Sequence, residues 1–315
     1  KGGSCITTGN DNVVLGSSSG GQIGSCGCNV FMGYLAGHIG GSSHNVAIGN
    51  RAGQNLGGSL GGSDSVNRGG ANVMLGQCAG YSLLRGGQNF LAGVSAGGCS
   101  ITTCCLIAIG RMAGLSDTNG FDNTYIGMHA GNGCGVGGTS CKNVALGSHA
   151  LYKIFNGFAN IGIGVCAGGC IIGGCCNINI GRCAGIGNTE GDGNLFLGDL
   201  SGPQTCGATG LHNITVGAKA GCDLTTGNRN ILIGCNVQAS SATGDDQLAI
   251  GCATGRWISG DSSFNVTLAG IVTATAAGAV CATTFSGSGA NLTGLTGASA
   301  ATYGNSTNTP VITVD

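Results

Sequence analysis

With 2 prolines in 315 residues, the chain lacks the ring that a collagen triple helix depends on, and its 68 glycines do not fall at every third position. Charge is as scarce, at 7% of residues and a net −1. A disordered linker pairs low hydrophobicity with high charge, whereas 42% of this chain is apolar. Lys and Arg number 11 against 12 acidic residues, with 8 Phe, 5 Tyr and 1 Trp. That leaves no basic field with interleaved stacking residues, so nucleic acid is not an expected partner. The most membrane-like stretch, Leu268 to Ala282, is shorter than the roughly 20 residues a spanning helix needs. It reads as a β-segment, and no membrane insertion is expected. No charged segment followed by an apolar one opens the chain, and residue 1 is Lys. The gene is therefore expected to start further upstream.

Carboxylates are also few. Glu190 is the sole glutamate, and the close acidic pairs are Glu190 with Asp192 and Asp245 with Asp246. Both pairs lie between repeats, where Asp favours turns. Glycan cleavage needs two carboxylates held across a groove, which this supply does not suggest. No Ser-His-Asp arrangement stands out either. The chain is read as non-enzymatic, with no catalytic residue, no cofactor and no metal.

What is abundant is a repeat. The unit Asn-aliphatic-x-aliphatic-Gly-x-x-Ala-Gly recurs fourteen times, mostly at 17-residue intervals, as in NVAIGNRAG at 45–53 and NINIGRCAG at 177–185. Its central glycines are Gly16, Gly33, Gly49, Gly76, Gly93, Gly110, Gly127, Gly147, Gly164, Gly181, Gly198, Gly217, Gly234 and Gly251. The aliphatics alternate, as in Val46 and Ile48 or Ile161 and Ile163, which is the two-residue period of a strand with one buried face. A strand this short cannot bury a face alone, but stacked coils can. The predicted fold is therefore an all-β parallel solenoid of about fourteen coils. Each coil is expected to point its two aliphatics and one alanine (Ala52, Ala79, Ala113, Ala130, Ala184) inward. Residues such as Phe31, Met74, Leu91, Phe196 and Leu232 then face outward. Extra residues at 54–71, 132–142 and 203–212 read as loops on one edge.

The Asn slot is filled in twelve copies: Asn12, Asn29, Asn45, Asn72, Asn89, Asn123, Asn143, Asn160, Asn177, Asn194, Asn213 and Asn230, with Leu106 and Gln247 as exceptions. Stacked amides there are expected to bond each other and the turn backbone, forming a structural ladder. The glycine supplies positive φ or close approach of two backbones.

The 19 cysteines fall mostly between copies. Cys99 with Cys104 and Cys105, and Cys170 with Cys175 and Cys176, share the spacing C-x4-C-C, and Cys134 with Cys141 is a looser version. Loop disulfides stapling a thin core are the first reading. Buried thiols acting as small hydrophobes are the second, and a metal site is the third, lacking C-x2-C pairs with partnering His. Cys78, Cys166 and Cys183 share the slot two residues after the glycine, as do His129 and His149.

From residue 12 to about 255 the unit resembles the head repeats of trimeric autotransporter adhesins. It is more similar still to repeat arrays of phage and bacterial fibre proteins. Residues 270–296 and 301–315 resemble linking segments of phage tail fibres, notably those of phages of marine cyanobacteria. The resemblance implies a homotrimer in a virion, with other tail or fibre proteins and a host surface receptor, expected to be a glycan, as partners. It divides the chain into a shaft at 1–255, a degenerate β linker at 256–285 and the truncated start of a C-terminal fibre segment at 286–315. A bacterial surface adhesin or filament subunit is the alternative, and a glycan-degrading tailspike a more remote one. An ice-binding solenoid would need a flat threonine array, which the slot Val14, Phe31, Ala47, Met74, Leu91 does not provide.

Overall fold

One short strand forms per repeat, three residues long in the first thirteen, because the glycine that follows it turns the backbone out of the extended region. The structure, a computed structural model, describes residues 1–39, 41–57, 69–133, 135 and 137–269. They belong to a unit spanning Lys1–Gly270; a second unit, Ile271–Asp315, lies outside the described residues. So do Cys134, the rest of the expected linker at 270–285 and the terminal segment at 286–315.

Sixteen strands among the described residues form a single sheet in chain order. From β1 (Val13–Leu15) to β14 (Leu248–Cys252) each strand runs parallel to the next and in register, Val13 beside Val30 and Ile161 beside Ile178. This is an all-β parallel solenoid of about thirteen turns with a period of about 17 residues, and no helix occurs among the described residues. β15 (Gly255–Gly260) and β16 (Val266–Leu268) reverse direction and pair antiparallel. The parallel stack thus ends in a meander where the sequence repeat fades.

The corners explain the glycine. At Gly93 φ is +134°, and its N–H donates to Leu75 of the coil before at 2.8 Å. A Cβ at Gly76 would lie 2.7 Å from the Gly93 carbonyl oxygen, closer than two such atoms can approach. Each coil also places two residues that are usually not glycine in the left-handed region, for example Asp122 at φ 58° and His129 at φ 58°. Such a conformation costs about 1 kcal/mol or more. It is held by inter-coil bonds such as His129 N–H to Arg111 O at 2.9 Å.

The interior corrects the expected phase of the strands. From Phe31 to Ala249 the middle residue of every strand is buried, including Phe31, Met74, Leu91, Tyr125, Phe196 and Leu232. The two flanking aliphatics point outward: Ile48, expected inside, is 39% exposed. Alanines 52, 79, 113, 130 and 184 are buried. A third inward position falls seven residues after the glycine, at Ile23, Leu56, Leu83, Ile154, Ile171 and Leu224. A typical coil therefore contributes one strand side chain, one alanine and one loop residue, aliphatic in six coils and polar in others, as at Ser100 and Asn188. A tube this narrow admits a single side chain per strand, so the pair must go outside. Neighbouring coils then compensate in volume, as Phe31 beside Ala47 beside Met74.

Candidate functional site

The outward strand face is the most regular surface of the molecule. Its two columns hold Val, Ile, Leu, Met or Phe in nearly every coil, with Thr124 and Ala92 as the exceptions. Ile107 is 40% exposed, Ile178 36% and Ile231 39%. Because the strands are in register, the columns run unbroken along the sheet. Such a stripe exceeds the scattered apolar exposure of an ordinary surface. The slot weighed above for a threonine array is interior, and the outward slots are aliphatic.

Beside the strand entry runs the asparagine column, buried in most coils. Wherever the next coil also carries Asn, each Asn oxygen accepts twice from it, while Asn89 Oδ1 accepts only the Leu106 N–H at 2.9 Å. Asn160 Oδ1 receives Asn177 N–H and Nδ2–H, both at 3.0 Å. The second Nδ2 hydrogen reaches a backbone carbonyl, as in Asn177 to Gly191 O at 2.7 Å. The same pattern links Asn12 with Asn29, Asn29 with Asn45, Asn45 with Asn72 and Asn72 with Asn89. It also links Asn123 with Asn143, Asn143 with Asn160, Asn177 with Asn194, Asn194 with Asn213 and Asn213 with Asn230. Gln247 extends it through Asn230 Oδ1 at 3.2 Å.

Leu106 interrupts the column. In that same coil the inward loop slot holds Asp117, 3% exposed, where six other coils carry an aliphatic and two carry the buried neutral residues Ser100 and Asn188. Its carboxyl takes over the missing rung, accepting from Asn123 Nδ2 at 2.8 Å and Ser140 Oγ at 3.3 Å. Tyr125 OH lies 3.2 Å from Ser140 Oγ. Burial raises the Asp117 acid to about 7, against the pull of its bonds from Asn123, Ser140 and Gly120. Burial and the Asp117 carboxyl push the Tyr125 phenol well above its usual range. This cluster was not foreseen, although a lone acid seven residues after Gly110, opposite the lone Leu in the Asn slot, was its signal.

The thiols are arranged by coil rather than by loop. Among the described residues the one disulfide joins Cys170 to Cys206, with Cα atoms 6.0 Å apart. Cys99, Cys104, Cys105, Cys141, Cys175 and Cys176 are free thiols, so the C-x4-C-C loops are not clipped internally. The physical reason is that the nearest neighbour of a solenoid side chain belongs to another coil. The insertion at 203–212 folds back far enough for Asn188 to bridge to Ala208, bringing Cys206 to Cys170. His129 and His149 stack with ring centroids 5.0 Å apart. Burial, His149 and Arg111 lower the affinity of His129 for a proton. Among the described residues no group of three or more His, Cys, Asp or Glu is placed to hold a metal ion.

The acidic pairs serve turns and ion pairs. Asp192 accepts from Cys175 N–H at 2.6 Å, Asp245 from Asn228 N–H at 2.8 Å, and Asp246 from Arg229 Nε at 2.7 Å. The Arg229 bond holds Asp246 below the usual carboxylate range. No helix among the described residues is long and apolar enough to cross a membrane. No family model matches the chain, and neither a curated protein nor a solved structure matches it.

Proposed function

We propose that this chain is the structural shaft of an extracellular fibre, a phage tail fibre, that holds host-recognition elements away from the particle. The observation that carries the reading is the unbroken aliphatic stripe on an in-register parallel solenoid. Thirteen steps of about 4.8 Å make a rod of roughly 60 Å. A rod whose outer strand face is apolar along its length, with Thr124 as the one polar residue in the columns, is built to pack lengthwise against another rod. Covering each stripe side chain contributes about 1 kcal/mol or more. Three copies around one axis would bury the stripe and leave the loops free for other fibre proteins or a receptor glycan. The Cys170–Cys206 bond fits an oxidising, extracellular setting.

Antibodies against the purified chain, imaged by electron microscopy on virions and on bacterial cells, test the assignment. Label along tail fibres is the expected outcome. Label on the cell envelope alone would replace the virion by a bacterial surface filament. In solution the chain is expected to sediment at three times its own mass, and a monomer would sink the packed-shaft reading.

A further inference from the structure

We propose that Cys166 and Cys183 form a second disulfide, joining the neighbouring coils that carry β9 (Ile161–Ile163) and β10 (Ile178–Ile180). Both cysteines stand two residues after the coil glycine, with nearly the same backbone, φ 58° and 55°. Cys183 N–H donates to Val165 O at 2.8 Å, and Cys166 N–H to Ser148 O at 2.9 Å. The coils are therefore stacked in register here, and adjacent Cα atoms lie about 4.8 Å apart. That falls within the roughly 4.4–6.8 Å of disulfides. Matching φ values send the two Cβ atoms to the same side, and both side chains are free thiols. Both are half-buried, reachable by a small oxidant. Cys78 occupies the same slot in a coil whose neighbours place Arg51 and Ser95 there, so it has no such partner.

The oxidant is a small-molecule disulfide such as oxidised glutathione. One cysteine, as thiolate, attacks it, releasing one glutathione and leaving a mixed disulfide; the second cysteine displaces the other glutathione. Two protein thiols are oxidised to one disulfide, and one glutathione disulfide is reduced to two thiols. Burial and the adjacent Cys183 hold the Cys166 thiol above its ordinary value, so the exchange quickens as pH rises. With Cys170–Cys206 already spanning the same region, two bonds would tie three successive coils. The proposal does not depend on the fibre reading.

Trypsin cutting after Lys153, Arg182 and Lys219 separates the two cysteines. In a Cys206→Ser chain, Cys183 is the sole cysteine of the 183–219 peptide. After treatment of the folded chain with oxidised glutathione, mass spectrometry is expected to find 183–219 joined to 154–182. The link should vanish in Cys166→Ser on the same background, while Cys78 stays open to iodoacetamide. In the wild-type chain the same two peptides should be held by two bonds, two hydrogens lighter than with one. That measurement decides the matter if the variants do not fold. Alkylation of Cys183 after oxidation, or a link that persists without Cys166, would overturn the proposal.

Discussion

Asp117 shows what one side chain can do to a repeat. Its coil places Leu106 in the polar column and a carboxyl in the inward loop slot, and Asn123 keeps its acceptor. The exchange carries a pH dependence. The folded acid titrates near 7 against about 3.8 when unfolded. Its proton is held more tightly in the fold, so the fold is favoured fully below about pH 4. That advantage is lost as pH rises towards 7 and above, amounting to about 4 kcal/mol. Asp117→Asn keeps an acceptor for Asn123 without a charge and turns an amide donor towards the Ser140 hydroxyl, which can accept as well as donate. Its thermal midpoint is expected to match the wild type below about pH 4 and to exceed it by several degrees at pH 8. Equal midpoints at both values would show that the acid is not held neutral. The sequence exposed Leu106 as an exception, but not its complement. The inward loop slot was invisible because its residues share no type, Leu83 and Ile171 alternating with Ser100 and Asn188.

At the scale of the coil, the repeat made the strands, the glycine corners and the inward alanines legible, because each recurs at one spacing. The direction of the strand face was not. Alternation defines two faces and leaves open which is wet, and the uniform aliphatic face looked like the core. Volume variation was the better guide. An interior slot such as Phe31, Ala47, Met74 changes size from coil to coil because neighbours compensate, whereas a surface slot has no such constraint. The corner glycines answer to a harder limit. A Cβ at Gly93 would sit 2.5 Å from the Gly110 carbonyl oxygen at φ +134°. Gly93→Ala should cost about 2 kcal/mol or more, read as a lower urea midpoint. Gly255→Ala, which meets nothing within 4 Å, should leave the midpoint within error.

At the scale of the molecule, the aliphatic stripe separates what one chain needs from what an assembly needs. Middle-slot residues such as Leu232 hold a single solenoid together, while Ile178 and Ile231 in the outer columns touch water in an isolated chain. The two classes should respond differently to the same insult. Leu232→Lys buries an unpaired charge in the tube, and the coils around it are expected to unfold, seen as lost β signal in circular dichroism. Ile178→Lys with Ile231→Lys places two charges on the stripe, where a lone chain tolerates them. These charges would have to be desolvated, or held close to their own copies, when rods pack lengthwise. The expected result is an unchanged circular dichroism spectrum and a shift in sedimentation from the assembled species to the monomer. If the double variant instead remains assembled, the stripe is not the packing face, and chains must associate through the loop edges.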